Sequence, residues 1–239
     1  MSEWEAVRCD HDGVQLEGFL ARPSGDGPFP AVLVMHSALG LRHQVGAKAR
    51  ELASLGYLAV ATDMYGVDAD TSTPEKAGEQ FVPLTQDQAL LRARCVKWFE
   101  TVAALPDVDS SRIAAIGFCF GGLCVLELAR SGVDAKAVVS YHGILKSQSP
   151  AGPGTVKAHV AAYCGLHDPY APAEDIDALQ AEMTAADASY EIMRFGDAAH
   201  SFTDPDAGAM GQPGIAYNAI ADAVSWAGTL ALFDTILRK

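Results

Sequence analysis

The sequence predicts an α/β fold in which a mostly parallel central sheet carries helices on both faces. Short, continuously apolar runs recur along the chain without polar alternation, as strands buried on both faces require. Longer segments with apolar residues at helical spacing separate these runs, and many of them end at glycine or proline. Such an alternation predicts a parallel sheet, whose ligands are expected at the carboxyl ends of the strands.

Composition limits the classes of partner that the chain can have. Its 239 residues predict one domain spanning 1–239, and 17 basic against 30 acidic side chains give a net charge of −13. We therefore expect neither nucleic acid nor an anionic membrane as a partner. No apolar run approaches the length of a membrane span and the N-terminal stretch lacks an apolar core, so we expect a cytoplasmic monomer or homodimer.

The first half of the chain predicts an edge hairpin, two buried strands with a helix between them, and a long second helix. The hairpin is predicted at 7–10 and 14–21. The two buried strands are predicted at 31–35 and 57–62, and the first helix lies between them at 42–56. Segment 63–83 is polar and broken by glycine and proline, which indicates either a flap over the strand ends or a plain connection. A capping box at 85–88 then predicts the start of the long helix.

The second half continues the alternation. Buried strands are predicted at 113–116, 137–141 and 160–164, and a last strand at 190–195; Pro172 predicts the first turn of a helix between the last two. A terminal helix is expected from Ile215. Its apolar stripe is predicted to pack on the sheet rather than to anchor the chain in a membrane, and consists of Ile220, Val224, Ala227 and Leu230.

A sharp strand-to-helix turn at Gly117-Phe118-Cys119-Phe120-Gly121 is the centre of this pattern. It has the form of the nucleophile elbow G-x-S-x-G with cysteine in place of serine. The two glycines allow strand and helix to pass closely, which leaves Cys119 at the tip of the turn. The free N–H groups and the positive dipole end of the following helix favour a thiolate there. We therefore interpret Cys119 as a nucleophile, against the alternative of an ordinary buried cysteine.

Other uses of the cysteines are less well supported by the sequence. The five cysteines are scattered without C-x-x-C spacing, which indicates neither a disulfide framework nor a zinc cage. A redox-sensing pair of Cys119 and Cys124 remains a third option. It is the weaker one because residues five apart on a helix point in different directions.

A nucleophilic thiol needs a base, and three histidines follow predicted strands: His36, His142 and His200. The chain order nucleophile, acid, histidine selects His200 and leaves His36 and His142 as neighbours or core residues. Asp168 lies in the turn after the strand at 160–164 and is the expected orienting acid, ahead of Asp197 in the histidine's own loop.

Two other interpretations of this acid and its surroundings stay open. Taken alone, Asp168 is better interpreted as an Asx-turn or helix-capping residue before the Pro172 helix. A metal site from His167, Asp168, His200 and a cysteine is conceivable. No helical H-x-x-x-H or C-x-x-C pattern would hold those ligands together, so we expect no metal.

The sequence resembles the dienelactone hydrolase family of α/β-hydrolases over nearly its whole length. The segments that carry the resemblance occur in family order and are VLVMHSALGL, LASLGYLAVATDMYG, IAAIGFCFGG, GLHDPYAP and AAHSF. The resemblance implies an α/β-hydrolase fold and a triad of Cys119, Asp168 and His200. It also implies an oxyanion hole from the backbone N–H groups of Phe120 and Ala38. The resemblance further implies that the substrates are esters, lactones or enol-lactones and that no cofactor is needed.

Two departures from the family pattern concern the substrate pocket, which we expect to include Ser37, Tyr65 and Asp204. Ser37 stands where the family usually has a glutamate that interacts with the resting cysteine. Asp204 stands where dienelactone-cleaving members have a carboxylate-binding arginine, so dienelactone itself is not the expected substrate. The alternative to an enzyme is a non-catalytic binding protein on a hydrolase scaffold, against which the three triad residues argue.

Overall fold

The computed structural model describes residues 5–41 and 43–238, and their strands form one eight-stranded sheet. The strand order is β1-β2-β4-β3-β5-β6-β7-β8. The strands are β1 (Glu5–His11), β2 (Val14–Ala21), β3 (Phe29–Met35), β4 (Leu58–Thr62), β5 (Val108–Phe118), β6 (Ala137–Tyr141), β7 (His159–Gly165) and β8 (Tyr190–Phe195). β1 and β2 form the antiparallel edge, and β3 to β8 run parallel. The predicted fold class is confirmed.

Helices cover both faces of the sheet, and the sheet separates two apolar cores. They are α1 (His43–Ser54), α2 (Pro74–Gln86), α3 (Gln88–Ala103), α4 (Phe120–Arg130), α5 (Ala173–Ala185) and α6 (Ala219–Ile236), with a short 3-10 helix at Ala207–Met210. Helices α1 and α6 share one core, and α3, α4 and α5 share the other. All residues of β4 and β6 are buried, as continuously apolar strands between two helical layers require.

The second half of the segment at 63–83 is helical, which was not predicted from the sequence. Helix α2 begins after Thr73, whose hydroxyl accepts a hydrogen bond from the N–H of Lys76, and Pro74 occupies its first turn. The predicted capping box at 85–88 was therefore misplaced, since Thr85 lies inside α2. The N-cap of α3 is Asp87, whose carboxylate accepts from the N–H of Leu90 at 2.9 Å.

The face of α6 that packs on the sheet also differs from the prediction. Ile220 of the expected stripe is 72 % exposed, and the buried residues of the helix are Ala221, Ser225, Thr229 and Phe233. Small side chains let the helix approach β6, where the hydroxyls of Thr229 and Tyr141 are hydrogen bonded. Of the described helices, α6 is the one whose length and composition could fit a membrane span, and this face of it lies against the protein.

Candidate active site

Cys119 lies at the tip of a turn that only glycine neighbours permit. It follows β5, caps α4, and has φ 56° and ψ −112°, a region that L-residues rarely adopt. A Cβ added to Gly117 would come within 1.9 Å of the carbonyl oxygen of Gly121, and one on Gly121 within 2.2 Å of that of Met35. The strained turn is therefore fixed by close backbone packing, as the elbow pattern predicts.

The structure brings Cys119, Asp168 and His200 together at the carboxyl ends of β5, β7 and β8. The Nδ1 of His200 donates to Oδ2 of Asp168 at 2.8 Å, and the His200 ring also hydrogen bonds to the Cys119 thiol. Both Asp168 and His200 are 3 % exposed. Asp168 is itself held by the N–H of Tyr170, which donates to its Oδ1 at 2.8 Å. Each group therefore orients the next one along the chain of hydrogen bonds.

The electrostatics of this pair favour a charged resting state. Burial alone would raise the pKa of the Cys119 thiol, but the charge and hydrogen bond of His200 outweigh it, so that the pKa is lowered. Burial likewise opposes the charged form of His200, whereas Cys119 and the hydrogen bond to Asp168 raise its pKa to about 10. The two shifts favour a thiolate beside an imidazolium.

Two backbone N–H groups point at the sulfur of Cys119. They belong to Ala38, in the loop after β3, and to Phe120, the first residue of α4, and both hydrogen bond to the thiol. The positive end of the α4 dipole adds to their effect. The donors proposed for the oxyanion hole are thus convergent, and the catalytic role of each residue named so far stays a prediction.

A cavity of about 300 Å³ lies in front of Cys119. Ser37 and Asp204 line it as the sequence indicated, and none of its described lining residues is lysine or arginine. Tyr65 is placed differently. Its ring is 8 % exposed, stacks on Phe120 at 5.7 Å, and does not line this cavity. Its hydroxyl donates to the carbonyl of Ala38 at 2.8 Å, and this hydrogen bond holds the ring against Phe120 instead of at the cavity wall.

Several lining residues were not expected from the sequence. Phe81 and Pro74 reach the cavity from α2, and Phe81 meets Phe120 edge to face at 5.3 Å. Tyr170 packs against the His200 ring at 4.7 Å. The signal for α2 was the sequence Thr73-Pro74-Glu75, a cap, a first-turn proline and a first-turn acid. Tyr170 lies in the segment GLHDPYAP, two residues after Asp168.

Of the remaining candidates, His142 lines the cavity, whereas Asp197, His167 and Cys124 do not. His142 is buried with its ring 5.2 Å from that of His200, and burial lowers its pKa well below the usual value. Asp197 and His167 are exposed. Cys124 is fully buried and hydrogen bonds to Cys95 rather than facing the cavity. Within 5–41 and 43–238, no group of three or more potential metal ligands is found.

Known proteins share this architecture and much of this sequence. Residues 16–237 match the model of the dienelactone hydrolase family. A candidate carboxymethylenebutenolidase from Synechocystis is 28 % identical over 97 % of this chain and 96 % of its own length. The solved structure of m3DLH is 36 % identical, with a TM-score of 0.91 and 98 % of each chain covered. That of a dienelactone hydrolase-like promiscuous phosphotriesterase from metagenomic libraries is 34 % identical, with a TM-score of 0.89 over 98 % of each chain.

These matches extend over the elbow, both partner loops and nearly the whole sheet. They agree with the resemblance that the sequence segments indicated, and they confirm an ester- or lactone-cleaving hydrolase at the level of the family. The chain therefore belongs to the dienelactone hydrolase family.

Proposed function

We propose that this hydrolase cleaves neutral carboxylic esters or lactones through a Cys119 thiolate and an acyl-thioester intermediate. The observation that carries the proposal is the convergence on one sulfur atom. The His200 ring and the N–H groups of Ala38 and Phe120 all hydrogen bond to it, at the wall of a mostly apolar cavity. Such an arrangement supplies a nucleophile, a proton carrier and an oxyanion hole within one site.

The first half of the reaction forms the thioester. The thiolate attacks the carbonyl carbon, and the carbonyl oxygen becomes an oxyanion that accepts from the N–H groups of Ala38 and Phe120. As the tetrahedral intermediate collapses, the bond to the alcohol oxygen breaks and the imidazolium of His200 gives its proton to that oxygen. Asp168 holds the ring in place while it becomes neutral. In a lactone the alcohol stays attached to the acyl group.

The second half releases the acid with the same groups in reversed roles. Neutral His200 takes a proton from a water molecule, whose oxygen attacks the thioester carbonyl. A second oxyanion forms in the same hole and collapses by breaking the carbon–sulfur bond. The thiolate of Cys119 and the imidazolium of His200 are thereby restored, and the carboxylic acid loses its proton to solvent.

The charge of the cavity favours neutral substrates. Asp204 lines the cavity, and the described lining offers no lysine or arginine to pair with a substrate carboxylate. Two like charges about 5 Å apart repel by about 3 kcal/mol at an effective dielectric of about 20. Partial solvent screening reduces this to roughly one or two powers of ten in binding. The natural substrate is accordingly an ester or lactone other than a carboxylated dienelactone.

The test is hydrolysis of short p-nitrophenyl esters and small neutral lactones by the wild type and by Cys119→Ala. We expect turnover by the wild type, none above background by the variant, and an acyl adduct on Cys119 in mass spectra of quenched reactions. A matched control is Cys9→Ala, which removes another partly exposed thiol and should leave turnover unchanged. Retained turnover in Cys119→Ala would refute the mechanism, and binding without turnover by the wild type would favour the binding-protein alternative.

The same thiolate also suits a second substrate class, neutral phosphotriesters. The observation in favour is the 34 % identity over 98 % of the chain to a dienelactone hydrolase-like promiscuous phosphotriesterase, together with a described lining that holds no lysine or arginine. Attack on phosphorus would form a bond to sulfur as the aryl oxide leaves with the proton of His200, and water would release the diester. Release of p-nitrophenol from a neutral dialkyl p-nitrophenyl phosphate, lost in Cys119→Ala, is the expected result.

A further inference from the structure

His36 is a fully buried histidine beside the candidate site that the proposed reaction does not use. It directly follows β3 and is 0 % exposed. Its Nε2 accepts from the backbone N–H of Met64 at 3.0 Å, and its Nδ1 lies 2.7 Å from the carbonyl oxygen of Ser37. A backbone N–H can only donate and a carbonyl can only accept. These two partners therefore fix the tautomer that carries its hydrogen on Nδ1.

The carbonyl that His36 holds belongs to the peptide unit of the oxyanion hole. That unit joins Ser37 to Ala38, and its N–H is the Ala38 donor to the Cys119 sulfur. The same carbonyl also accepts from the N–H of Gly40 at 3.0 Å. Because a peptide unit is planar, two donors on its oxygen determine where its N–H points. They also polarise the unit and strengthen the N–H as a donor.

The next peptide unit is held from the opposite side of Ala38. The hydroxyl of Tyr65 donates to the Ala38 carbonyl at 2.8 Å, and the Tyr65 ring packs edge to face on His36 at 4.7 Å. Asp63 faces the same histidine and favours its charged form, but burial dominates and lowers the pKa of His36. The neutral ring required for the observed pair of hydrogen bonds is thus the form present at neutral pH.

The geometry points to His36 as a positioning residue that aims the Ala38 N–H at the reacting centre through the Ser37 carbonyl. This inference rests on the proposed function, because the N–H has a catalytic task only if an oxyanion forms there. Loss of one such donor lowers kcat about 10²- to 10³-fold in other enzymes. The same N–H also stabilises the resting thiolate, so its loss should raise the pKa of the Cys119 thiol.

Two substitutions separate the two hydrogen bonds of His36. In His36→Asn the side-chain amide can occupy the place of Nδ1 and donate to Ser37, but nothing accepts from Met64. In His36→Gln the longer amide can accept from Met64, but Ser37 loses its donor. We expect His36→Gln to lower kcat on p-nitrophenyl acetate about 10- to 100-fold with KM within about threefold, and His36→Asn to lower it less than about fivefold.

A second readout does not need turnover. The rate of iodoacetamide modification of Cys119 against pH gives the pKa of its thiol. We expect this pKa to rise in His36→Gln and to stay close to the wild-type value in His36→Asn. If the wild type proves inactive on every ester tested, the proposed function fails while this measurement still decides the inference. Equal effects of the two substitutions, or a larger effect of His36→Asn, would overturn it.

Tyr65→Phe provides a variant that keeps the packing and removes only the bond to Ala38. We expect a loss in kcat of about three- to tenfold with unchanged KM, and a small rise in the thiol pKa. Tyr57→Phe is the control, since it removes a hydroxyl bonded to Asp234 and Arg238 at the C-terminal end of α6 and should change neither value. Thermal unfolding shows whether each variant folds. If neither His36 variant folds, the Tyr65→Phe variant decides. A kcat and a Cys119 thiol pKa equal to those of the wild type would then overturn the inference.

Discussion

Two cysteines at the start of α4 have opposite acidities although both are enclosed by protein. Cys119 precedes the first turn and its thiol pKa is lowered, while Cys124 lies one turn further and burial raises its pKa well above the usual value. Cys119 has an imidazolium and two N–H donors around the sulfur, whereas Cys124 has the thiol of Cys95 and the carboxylate of Glu127 nearby. Enclosure disfavours a thiolate in both places, and the groups around the sulfur decide the outcome.

Removing each thiol in turn should give the largest contrast. We expect Cys119→Ala to lower kcat on a neutral ester by about 10⁴-fold or more, because the covalent route is lost. Cys124→Ala should leave kcat within about twofold and lower the free energy of unfolding by roughly 1 kcal/mol, as expected for a small truncation in a core. Ester hydrolysis and urea unfolding of both variants measure these effects. A comparable loss of kcat in Cys124→Ala would show that the two thiols act together.

Removing the charge of Asp168, which supports the imidazolium of His200, should raise the pKa of the Cys119 thiol toward that of Cys124. Asp168→Asn keeps the shape of the side chain but removes the charge that favours the imidazolium, and we expect kcat to fall about 10³- to 10⁴-fold. The pKa of the Cys119 thiol should rise in the same variant. Asp197→Asn is the control, because this exposed acid lies in the loop of His200 without touching its ring. A loss confined to Asp197→Asn would mean that the orienting acid was misassigned.

The same reasoning extends from the thiol to the charge of the substrate. Asp204→Arg replaces a carboxylate at the cavity wall by a cation, and we expect kcat/KM for a carboxylated lactone to rise about 10- to 100-fold relative to its neutral analogue. The comparison should be made at low and high salt, since screening reduces the effect. Asp206→Arg is the matched control in the neighbouring outer cavity. A wild type that prefers the anion at both salt concentrations would contradict the assignment of Asp204.

The smallest expected effect comes from giving Cys119 an acidic neighbour such as Cys124 already has. Ser37→Glu adds a carboxylate to the lining of the Cys119 cavity, and like-charge repulsion should raise the thiol pKa by about one unit. Iodoacetamide modification at pH 7 should then slow about tenfold, while Ser37→Gln, with the same size and no charge, should stay near the wild-type rate. Faster modification of Ser37→Glu than of Ser37→Gln would oppose this account.

The sequence predicts the parts of the site that depend on backbone topology. Cys119, Asp168 and His200 each follow a parallel strand, so the sheet brings them to one edge whatever the helices do in detail. The elbow was evident because Gly117 and Gly121 have a steric requirement that only glycine meets. These features could be predicted because each one depends on residues adjacent in sequence or on a rule for the whole sheet.

The parts that were missed depend on tertiary contacts. Helix α2 was interpreted as a flap or loop because Gly78 and Pro83 interrupt it, yet it supplies Phe81 to the cavity. The buried face of α6 carries Ser225 and Thr229. Their hydropathy predicts exposure to solvent, whereas close packing on β6 makes their burial favourable. The place of Tyr65 follows from a hydrogen bond between two loops, to which no spacing in the sequence points.

The close packing at the elbow also determines where the substrate range of this protein can be changed by directed evolution. Gly117 and Gly121 admit no side chain, so mutations at the elbow would be lost to misfolding before any change of selectivity could be scored. Phe81, Tyr170 and Asp204 line the same cavity from α2, from the loop after β7 and from the loop after β8. A library over these three positions samples each wall separately and leaves Cys119 unmutated.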